Sequence, residues 1–411
     1  MSDQLYPYFL SLWQKLQTFQ TPDNGPGTTR LAFTDADQMS RRWIQEIWED
    51  IGLSTHIDGV GNVVGTLGTP PYILIGSHTD TVPHGGNYDG ILGLLAATAV
   101  AHDWLDLDRG LMVVDWSSEE SSRFGISTLG SRLAVGENQT SYWGTQDQSG
   151  MTLSEAVHQS YGYPDIPILN LCEYPIKAAL ELHIEQGTEL QEHQCALGIV
   201  TAIAAPQRWS VIVDGQANHS AGTAMGRRTD ALAAAAQLTL AIEALSTELE
   251  SSGLRSTMTR LNVLPGAANV VPGQVIGLID VRAQSQAVLS RYRKALNTTR
   301  HRIEEQRHVQ IRLAKISGET PGALDPSLRE IMQQVLEHRK VRWMHLPSWP
   351  SHDSLPLSRH VPSAMLLVRN PSGLSHNSEE TLDAEDIQAA LTAFYAIVVS
   401  VHEHIGGSCQ C

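Results

Sequence analysis

The sequence predicts an α/β fold in which a mixed sheet packs between helices and a smaller α+β unit interrupts the chain. Short apolar runs alternate with helical patterns over the early part of the chain, as in βαβ units. Near Ala205 the pattern changes to two long helical segments and a few strands of alternating polarity. This second pattern ends at the turn-forming segment of residues 318–326. At 411 residues the chain exceeds the size at which one hydrophobic core usually stops growing, so two domains are expected.

The first domain is predicted to comprise residues 1–206 and 323–411. Its N-terminal residues indicate an opening helix. The patterns that follow predict strands at residues 62–65, 73–76, 111–116 and 364–368, and helices at residues 90–102, 327–339 and 383–405. Functional loops of such sheets gather at the carboxyl ends of the strands, so a site is expected there.

The inserted unit is predicted to comprise residues 207–322. Its patterns predict strands at residues 208–215, 262–271 and 275–282, and helices at residues 230–250 and 290–306. Two long helices against a few strands suggest a compact α+β unit.

Composition narrows the class of protein. The net charge of -16 would repel a phosphate backbone, so nucleic acid is not expected as a partner. The longest apolar run, residues 91–101, is far shorter than the roughly 20 residues that cross a bilayer, so no membrane span is expected. The N-terminus lacks a signal-peptide pattern, and four cysteines are too few for a disulfide framework, so a cytoplasmic protein is expected. No role is assigned to Cys409 and Cys411.

The densest chemical signal is GSHTDTVPHGGNYDGILG at residues 76–93. An apolar strand ends at His78 and Asp80, and Asp89 opens a helix after a loop rich in Gly, Pro and Asn. Imidazole and carboxylate groups on either side of a flexible turn can converge on one ion. A lone His78 would more often be a loop histidine without a ligand role, but these neighbours favour a metal site.

A second strand runs into the paired carboxylates Glu119 and Glu120 of VVDWSSEESSRFG. Adjacent carboxylates at a strand end suit two roles, one on a metal and one in proton transfer. The alternative is that both cap the following turn in solvent.

Two further motifs carry histidine. In LELHIEQG, Glu181, His183 and Glu185 share one strand face, either as ligands or as the polar outer face of an edge strand. Gln186 follows within reach of a substrate. In GLSHNSEE, His376 lies in a Gly/Ser loop after an apolar strand. Four strand ends of one sheet therefore present groups that can hold metal.

Together the motifs resemble the hydantoinase/carbamoylase branch of the two-metal hydrolases that include aminoacylases and carboxypeptidases. The resemblance covers about residues 55–385 and rests on GSHTDTVP, YDGILG, SEESSRFG, ELHIEQG, GQANHSAGTAM, NVVPG, DVR, SHDS and GLSHNSEE. Within the branch, which includes N-carbamoyl-L-amino-acid, allantoate and ureidoglycolate amidohydrolases, the runs FGISTLGSR and GIVTAIAAP look closest to the last. Many relatives read His-Ala-Gly-Thr-Thr-Pro-Met where this chain has HSAGTAM from His219, which bears on the loop's side-chain selectivity.

The resemblance implies a ligand set for two divalent metal ions, Zn or Mn, with Co or Ni also possible. The implied ligands are His78, Asp89, Glu120, His183 and His376. Asp89 would bridge the metals, with His78 and His183 completing one site and Glu120 and His376 the other. Glu119 would be the general base. A histidine at position 183 resembles the residue found in the carbamoylases, since peptidase relatives usually have a carboxylate at the matching position.

Further residues are implied to bind substrate. In the inserted unit, His219, Asn269 and Arg282 match positions that hold the substrate carboxylate and polarise the scissile carbonyl, with His219 also catalytic and supplied by a second subunit. Gln186 and His352 of SHDS are implied to contact substrate as well. On the residues alone, Arg282 could instead close a strand with an ion pair and Asn269 could end one with a turn. The resemblance implies a homodimer in which the inserted unit is a lid or dimerisation domain.

The sequence thus predicts a metal-dependent amidohydrolase that cleaves the C–N bond of a small anionic ureide or N-carbamoyl substrate and releases ammonia and CO2. Two alternatives stay open at this point. One is a metallo-dipeptidase or aminoacylase of the same fold, and the other is a binding protein that metal stabilises without catalysis.

Overall fold

The computed structural model describes residues 4–22, 25–104 and 109–404, so Cys409 and Cys411 lie outside the described residues. The chain forms two compact units. One contains the residues up to Thr201 and those from Leu324 onward, and the other contains Ala202–Ala323. The sequence predicted the corresponding boundaries at 206/207 and 322/323.

The secondary structure alternates between strands and helices in chain order. The strands are β1 (Ser54–Ile57), β2 (Val63–Leu67), β3 (Tyr72–His78), β4 (Gly110–Trp116), β5 (Ile176–Ile184), β6 (Leu197–Ile203), β7 (Ala205–Asp214), β8 (Asn218–His219), β9 (Leu254–Leu264), β10 (Val270–Val271), β11 (Gln274–Ala283), β12 (Gln310–Gly318), β13 (Gly322–Ala323), β14 (Trp343–Ser348) and β15 (Ser363–Val368). The helices are α1 (Leu5–Leu16), α2 (Asp35–Asp50), α3 (Ile91–His102), α4 (Leu129–Ala134), α5 (Leu153–Tyr161), α6 (Glu189–Glu192), α7 (Ala231–Leu249), α8 (Gln286–Arg307), α9 (Pro326–His338), α10 (Ser354–Leu357) and α11 (Ala384–His404).

The first unit is built on a mixed sheet with the strand order β1–β2–β4–β3–β5–β15–β6, and β14 also pairs with β6. The four central strands β4, β3, β5 and β15 are parallel to one another. The flanking pairs β1–β2, β2–β4 and β15–β6 are antiparallel. The predicted fold class is confirmed, and the carboxyl ends of four adjacent parallel strands meet at one edge.

Helices cover both faces of this sheet, as the alternation of side chains along β3 shows. Ile73 and Ile75 pack with residues of α1, α3 and α11, whereas Leu74 points to the other face and packs with Ala134 of α4 and Leu357 of α10. Strands buried on both faces read as continuous apolar runs, which is why the sequence predicted β3 and β4 well.

Helix α3 lies at the centre of the first unit, and every residue from Ile91 to Ala101 is buried. It is apolar all round, as expected of a helix without a solvent-exposed face. Gly93 lies where α3 crosses β5. A Cβ atom at Gly93 would lie 2.0 Å from the carbonyl oxygen of Leu182, so only glycine permits this approach.

Replacing Gly93 by Ala is therefore expected to destabilise the protein by about 3 kcal/mol, because the methyl group must push α3 away from β5. Thermal unfolding measures the effect. Gly144→Ala is the matched control, since a Cβ there meets no atom within 4 Å. Equal melting temperatures for the two variants would show that the α3–β5 contact does not limit stability.

The second unit is an antiparallel sheet of order β12–β7–β11–β9 with two long helices on one face. Alternate residues of β7, among them Trp209 and Val211, pack against Leu238 of α7 and Tyr292 of α8. Asp230 caps α7 by accepting hydrogen bonds from two backbone N–H groups of its first turn. This is the α+β architecture that the sequence predicted.

The predicted strand at residues 262–271 is wrong. Strand β9 ends at Leu264 because Pro265 has no N–H group for the ladder, and Gly266 adopts a left-handed conformation with φ of 70°. Val270 and Val271 instead form β10, which pairs with β8.

Two helices of the described residues are long and apolar enough to cross a membrane by length and composition alone, Ala231–Ser252 and Ala384–His404. Each also packs one face into a core, through Leu238 and Ile242 in the first and Phe394 and Ile397 in the second. Core helices of soluble proteins pass the same test, so the test is weak evidence for a span. The expectation of no membrane span, which rested on uninterrupted apolar runs, stays a prediction.

Candidate metal centre

The predicted metal ligands come together at the carboxyl edge of the parallel strands. His78 is the last residue of β3, and His183 is the last but one of β5. Glu120 follows β4, and His376 lies in the loop after β15. Asp89 directly precedes the N-cap residue of α3. The fold therefore places side chains that are almost 300 residues apart in sequence at one site.

Two groups of donor atoms share Asp89. In the first group, one ligand atom each of His78, Asp89 and His183 lies within 4.8 Å of the others, and all three residues are buried. Asp89 Oδ1 is 3.8 Å from His78 Nε2 and 3.2 Å from His183 Nε2. These atoms face one another across a space that suits a cation.

The second group consists of Asp89, Glu120 and His376, whose ligand atoms also lie within 4.8 Å of one another. His376 Nε2 is 3.3 Å from Asp89 Oδ2 and 3.0 Å from Glu120 Oε1. One oxygen of Asp89 thus faces each group. Imidazole nitrogens with carboxylate oxygens are a donor set that fits divalent cations such as Zn or Mn.

The two buried histidines are oriented by their other ring nitrogens. His78 Nδ1 donates to the carbonyl oxygen of Asp80 at 3.0 Å, and His183 Nδ1 donates to the carbonyl oxygen of Ile184 at 3.1 Å. In the neutral rings this leaves both Nε2 atoms as acceptors, and Nε2 of His183 also accepts from the N–H of Gly90 at 3.2 Å. Such hydrogen bonds behind a ligand fix its ring and tautomer in metal sites.

Gly90 permits the close packing of this corner. It has a φ of 68°, and a Cβ atom there would lie 2.3 to 2.5 Å from atoms of the His78 ring. Glycine is needed here both for the left-handed backbone and for the space that the imidazole occupies.

Charge interactions within the site are strong. Burial alone would raise the pKa of Asp89, but hydrogen bonds with His183 and His376 outweigh burial and hold that pKa well below its usual range. Hydrogen bonds with Asp89 and Glu120 raise the pKa of His376 to about 10. Burial lowers the pKa of His78. The carboxylates thus attract positive charge, which a bound cation would supply.

Glu119 lies beside these groups. It is buried, with Oε2 3.8 Å from His78 Nε2, and burial followed by the charge of Glu120 raises its pKa well above its ordinary value. The alternative that Glu119 and Glu120 cap a turn in solvent is wrong. A buried carboxyl that holds a proton more tightly than usual is suited to acid and base roles.

Two non-glycine residues of the site have a positive φ, which strains the backbone there. Ser118, directly before Glu119, has a φ of 52°, and His376 has a φ of 56°. Residues other than glycine adopt this region at a cost, and such strain clusters at functional sites.

Gln186 and His352 also lie at the site. Gln186 Nε2 donates to Asp89 Oδ2 at 2.6 Å and to Ser375 Oγ at 3.0 Å, which ties the loops after β5 and β15 together. His352 is buried and packs edge-on against the ring of His183. Its Nε2 lies 2.8 Å from Ser348 Oγ. Their contact with substrate stays a prediction.

The alternative that LELHIEQG forms the polar face of an edge strand is wrong, because β5 pairs with β3 and β15 and is buried on both faces. Glu181 accepts hydrogen bonds from the backbone and hydroxyl of Ser354. Glu185 caps α6 by accepting from the N–H groups of Glu189 and Leu190. Of the three polar residues, only His183 belongs to either group that shares Asp89.

In the second unit, His219 and Asn269 lie side by side. His219 in β8 pairs with Val270, and the N–H of Ser220 donates to the carbonyl oxygen of Asn269 at 2.9 Å. His219 is exposed. Its Nδ1 accepts from the N–H groups of Ala221 and Gly222, both at 3.1 Å, so the proton of the neutral ring is on Nε2.

Arg282 lies in β11 of the four-stranded sheet, whereas His219 belongs to the separate two-stranded sheet of β8 and β10. Arg282 pairs with Pro206 at the start of β7, whereas β8 follows the end of β7 at Asp214. Its Nε is 3.5 Å from Asp280 Oδ2. Eight residues of strand separate the two ends of the β7–β11 ladder, which corresponds to about 27 Å. Within one chain the sheet therefore keeps Arg282 far from His219.

Two residues that hold the site together were not assigned a role from the sequence, although Asp80 was named among the groups that could converge on an ion. Asp80 accepts the backbone N–H groups of Glu119 and Glu120 at 3.2 and 3.0 Å. Glu380 accepts those of Tyr88 and Asp89 at 2.7 and 3.2 Å. Both belong to the recognised motifs, so their position in HTD and SEE is the signal that could have found them.

The fold and the site together define a metal-dependent hydrolase. Residues 74–400 match the model of Peptidase family M20/M25/M40, and the chain belongs to this family. The predicted enzyme class, a hydrolase of C–N bonds in amides other than peptides, is also confirmed.

Individual relatives agree with the predicted branch. The N-carbamoyl-L-amino acid amidohydrolase of Geobacillus stearothermophilus is 31% identical over 399 residues, which are 94% of this chain and 97% of the relative. The ureidoglycolate hydrolase of Oryza sativa subsp. japonica is 34% identical over 382 residues, 88% of this chain and 78% of the relative. The crystal structure of a hydantoinase/carbamoylase family amidase from Burkholderia multivorans matches with a TM-score of 0.85 and 28% identity, over 96% and 97% of the two chains.

Proposed function

We propose that the protein hydrolyses the carbamoyl C–N bond of a small anionic ureide or N-carbamoyl amino acid. The observation that carries this proposal is Asp89, whose two oxygens face two separate groups of metal donors with Glu119 beside them. The names of the relatives from Geobacillus stearothermophilus and Oryza sativa support the substrate class. Water adds to the carbamoyl carbon and the C–N bond breaks, so that the amine leaves and carbamate decomposes to ammonia and CO2.

We assign two divalent cations to the site, held by His78, Asp89 and His183 and by Asp89, Glu120 and His376. Mixed imidazole and carboxylate sites accept Zn or Mn, and Co or Ni also fit. Such cations supply Lewis-acid polarisation of the substrate carbonyl and lower the pKa of water.

Glu119 handles the proton in this proposal. Its carboxylate takes a proton from the attacking water and then returns it to the departing nitrogen. Its buried position excludes bulk water from competing for that proton, and the backbone bond to Asp80 holds it in place.

His219 presents a hydrogen-bond donor to the oxyanion. Because backbone N–H groups of Ala221 and Gly222 occupy Nδ1, the neutral ring carries its proton on Nε2. A fixed donor aimed at developing negative charge is a common source of catalysis. Asn269, its neighbour through Ser220, is assigned to the same end of the substrate.

Arg282 is assigned to the substrate carboxylate, since a guanidinium group binds a carboxylate through two parallel hydrogen bonds. A small ureide cannot span the roughly 27 Å between the ends of the sheet. We therefore infer that Arg282 and His219 of one chain serve different active sites, in a homodimer in which each site takes His219 from the partner, as the resemblance implies.

This arrangement predicts complementation between inactive variants. Arg282→Ala and His219→Ala are each expected to lower kcat/KM by about 100-fold or more. Refolded together in equal amounts, they should regain about a quarter of wild-type activity, because half the dimers are hybrids with one intact site each. Ammonia release measures the activity. A mixture no more active than its components would contradict shared sites, and each variant mixed with itself is the control.

The substrate class is tested by ammonia release from N-carbamoyl amino acids, ureidoglycolate and allantoate, with each divalent metal added back to the metal-free protein. Turnover of at least one ureide and none of an N-acetyl amino acid or a dipeptide is expected. Hydrolysis of the dipeptide without ammonia release from any ureide would instead establish a peptidase.

A further inference from the structure

Arg41 of α2 is a cation in the core of the first unit. Its side chain is completely buried, as are those of the three carboxylates around it. Asp37 of the same helix lies 2.8 Å from Arg41 Nε, Asp115 lies 3.0 Å from Nη1 and Asp80 lies 3.4 Å from Nη2. A buried charge is costly unless it is paired and hydrogen-bonded, so this arrangement has a specific cause.

The guanidinium group binds the ends of two strands. Its Nη1 donates to the carbonyl oxygen of Asp115 at 3.1 Å, and Nη2 donates to that of Trp116 at 3.0 Å. These are the last two residues of β4. The Asp115 carboxylate in turn accepts from the N–H and the hydroxyl group of Thr79, directly after β3. Arg41 thus connects α2 with the ends of β3 and β4.

Asp80 connects these strand ends with the Glu119–Glu120 segment. Asp80, paired with Arg41, accepts the N–H groups of Glu119 and Glu120 through its two carboxylate oxygens. The carbonyl oxygen of Asp80 also accepts from His78 Nδ1. The hydrogen bonds from Asp80 to the site are 3.0 to 3.2 Å long, and the contact between Arg41 and Asp80 is 3.4 Å long.

We propose that Arg41 is a positioning residue, which acts through Asp80 to set the orientation of the Glu119–Glu120 segment and of the His78 ring. This inference rests on the proposed function for the role of Glu119, but the roles of His78 and Glu120 in holding cations can be tested without turnover. Arg41 itself does not touch the reacting atoms.

The planar fork of arginine is essential to this role. Four acceptors from Asp80, Asp115 and Trp116 surround Nη1 and Nη2, while Nε binds Asp37. A lysine ammonium group is a single point donor and cannot reach both strand ends and the helix at once. Arg41→Lys therefore keeps the charge and loses the geometry.

The experiment compares Arg41→Lys with wild type in two readouts. Calorimetric titration of the metal-free protein with Mn²⁺ is expected to show binding weakened about 10- to 100-fold, the usual effect of removing a partner behind a metal ligand. With saturating Mn²⁺, kcat on an N-carbamoyl amino acid is expected to fall while KM changes by less than about threefold, since Arg41 makes no contact with substrate.

Trp48→Phe is the matched control. Trp48 lies on the same helix and is fully buried, and the substitution removes its hydrogen bond to Thr98 Oγ1 and part of its packing in the core without touching Arg41 or Asp80. The Trp48→Phe variant is expected to melt at a lower temperature than wild type, while its Mn²⁺ affinity and kcat are unchanged. An Arg41→Lys protein that is folded and matches Trp48→Phe in both Mn²⁺ affinity and kcat would overturn the proposal.

Asp37→Asn keeps the test decisive if Arg41→Lys does not fold. It preserves shape and weakens the hold on Nε without touching a strand end. Smaller losses of Mn²⁺ affinity and kcat are expected, and wild-type values for both would overturn the proposal. If wild type releases no ammonia from any ureide, the proposed function fails while the Mn²⁺ comparison still decides the role of Arg41.

Discussion

Replacing Glu119 by Gln is expected to lower kcat by about 10³-fold while the protein still binds its divalent cations. Glu119 is buried beside His78 but belongs to neither group of donors that shares Asp89. Gln keeps the size of the side chain and can no longer accept or return a proton. Ammonia release and metal content after dialysis measure the two quantities separately.

Glu185→Gln is the matched control for this loss. Glu185 is another buried carboxylate after β5, and it caps α6 rather than facing the donors. It is expected to retain kcat at a small cost in stability. Unchanged turnover in Glu119→Gln would contradict the assignment of proton transfer to Glu119, whereas wild-type protein that binds metal and turns over no ureide would support a binding protein without catalysis.

Replacing Asp89 by Asn is expected to weaken the binding of both cations by about 100-fold or more, since removing a ligand costs more than removing a partner behind one. Its Oδ1 faces His78 and His183, whereas Oδ2 faces His376. An amide offers only one oxygen and no charge. Activity should fall with metal content.

His376→Ala is the informative comparison, because His376 belongs to only one of the two groups that share Asp89. It is expected to keep the cation held by His78 and His183 and to lose the other. Metal content by mass spectrometry distinguishes the cases. An Asp89→Asn protein that retains as much metal as wild type would show that Asp89 does not bridge.

The candidate ligands could be located because they follow apolar runs, whereas the choice of these five among the candidates came from the family resemblance. His78, His183 and His376 each end or follow a strand buried on both faces, and such strands are easily recognised. Adjacent parallel strands then bring their carboxyl ends together whatever the sequence between them. Neither the pairing order nor the distances were needed for the prediction.

The residues that hold the metal ligands in position, such as Arg41, could not be predicted in the same way. Arg41 and Arg42 are neighbours on α2, yet Arg41 is buried and Arg42 is exposed. Helical periodicity assigns them to different faces but does not say that the buried face meets carboxylates rather than solvent. The partners of Arg41 come from β3 and β4, which are distant in sequence.

The alternation in LELHIEQG misleads for a related reason. Alternating polar and apolar residues usually indicate a strand with one face in solvent. Here Glu181 and His183 face a buried polar site instead, and Ser354 and Asp89 provide the partners that water would supply elsewhere. Only the tertiary structure distinguishes a strand face exposed to solvent from one that lines a buried polar site.

The central claim is that catalysis depends on two cations that Asp89 joins. The most direct test titrates metal-free protein with Mn²⁺ and follows ammonia release from an N-carbamoyl amino acid or ureidoglycolate, whichever the wild-type enzyme prefers. Activity is expected to be absent without metal and to rise until about two equivalents per chain are bound. Full activity of the metal-free protein would contradict the claim.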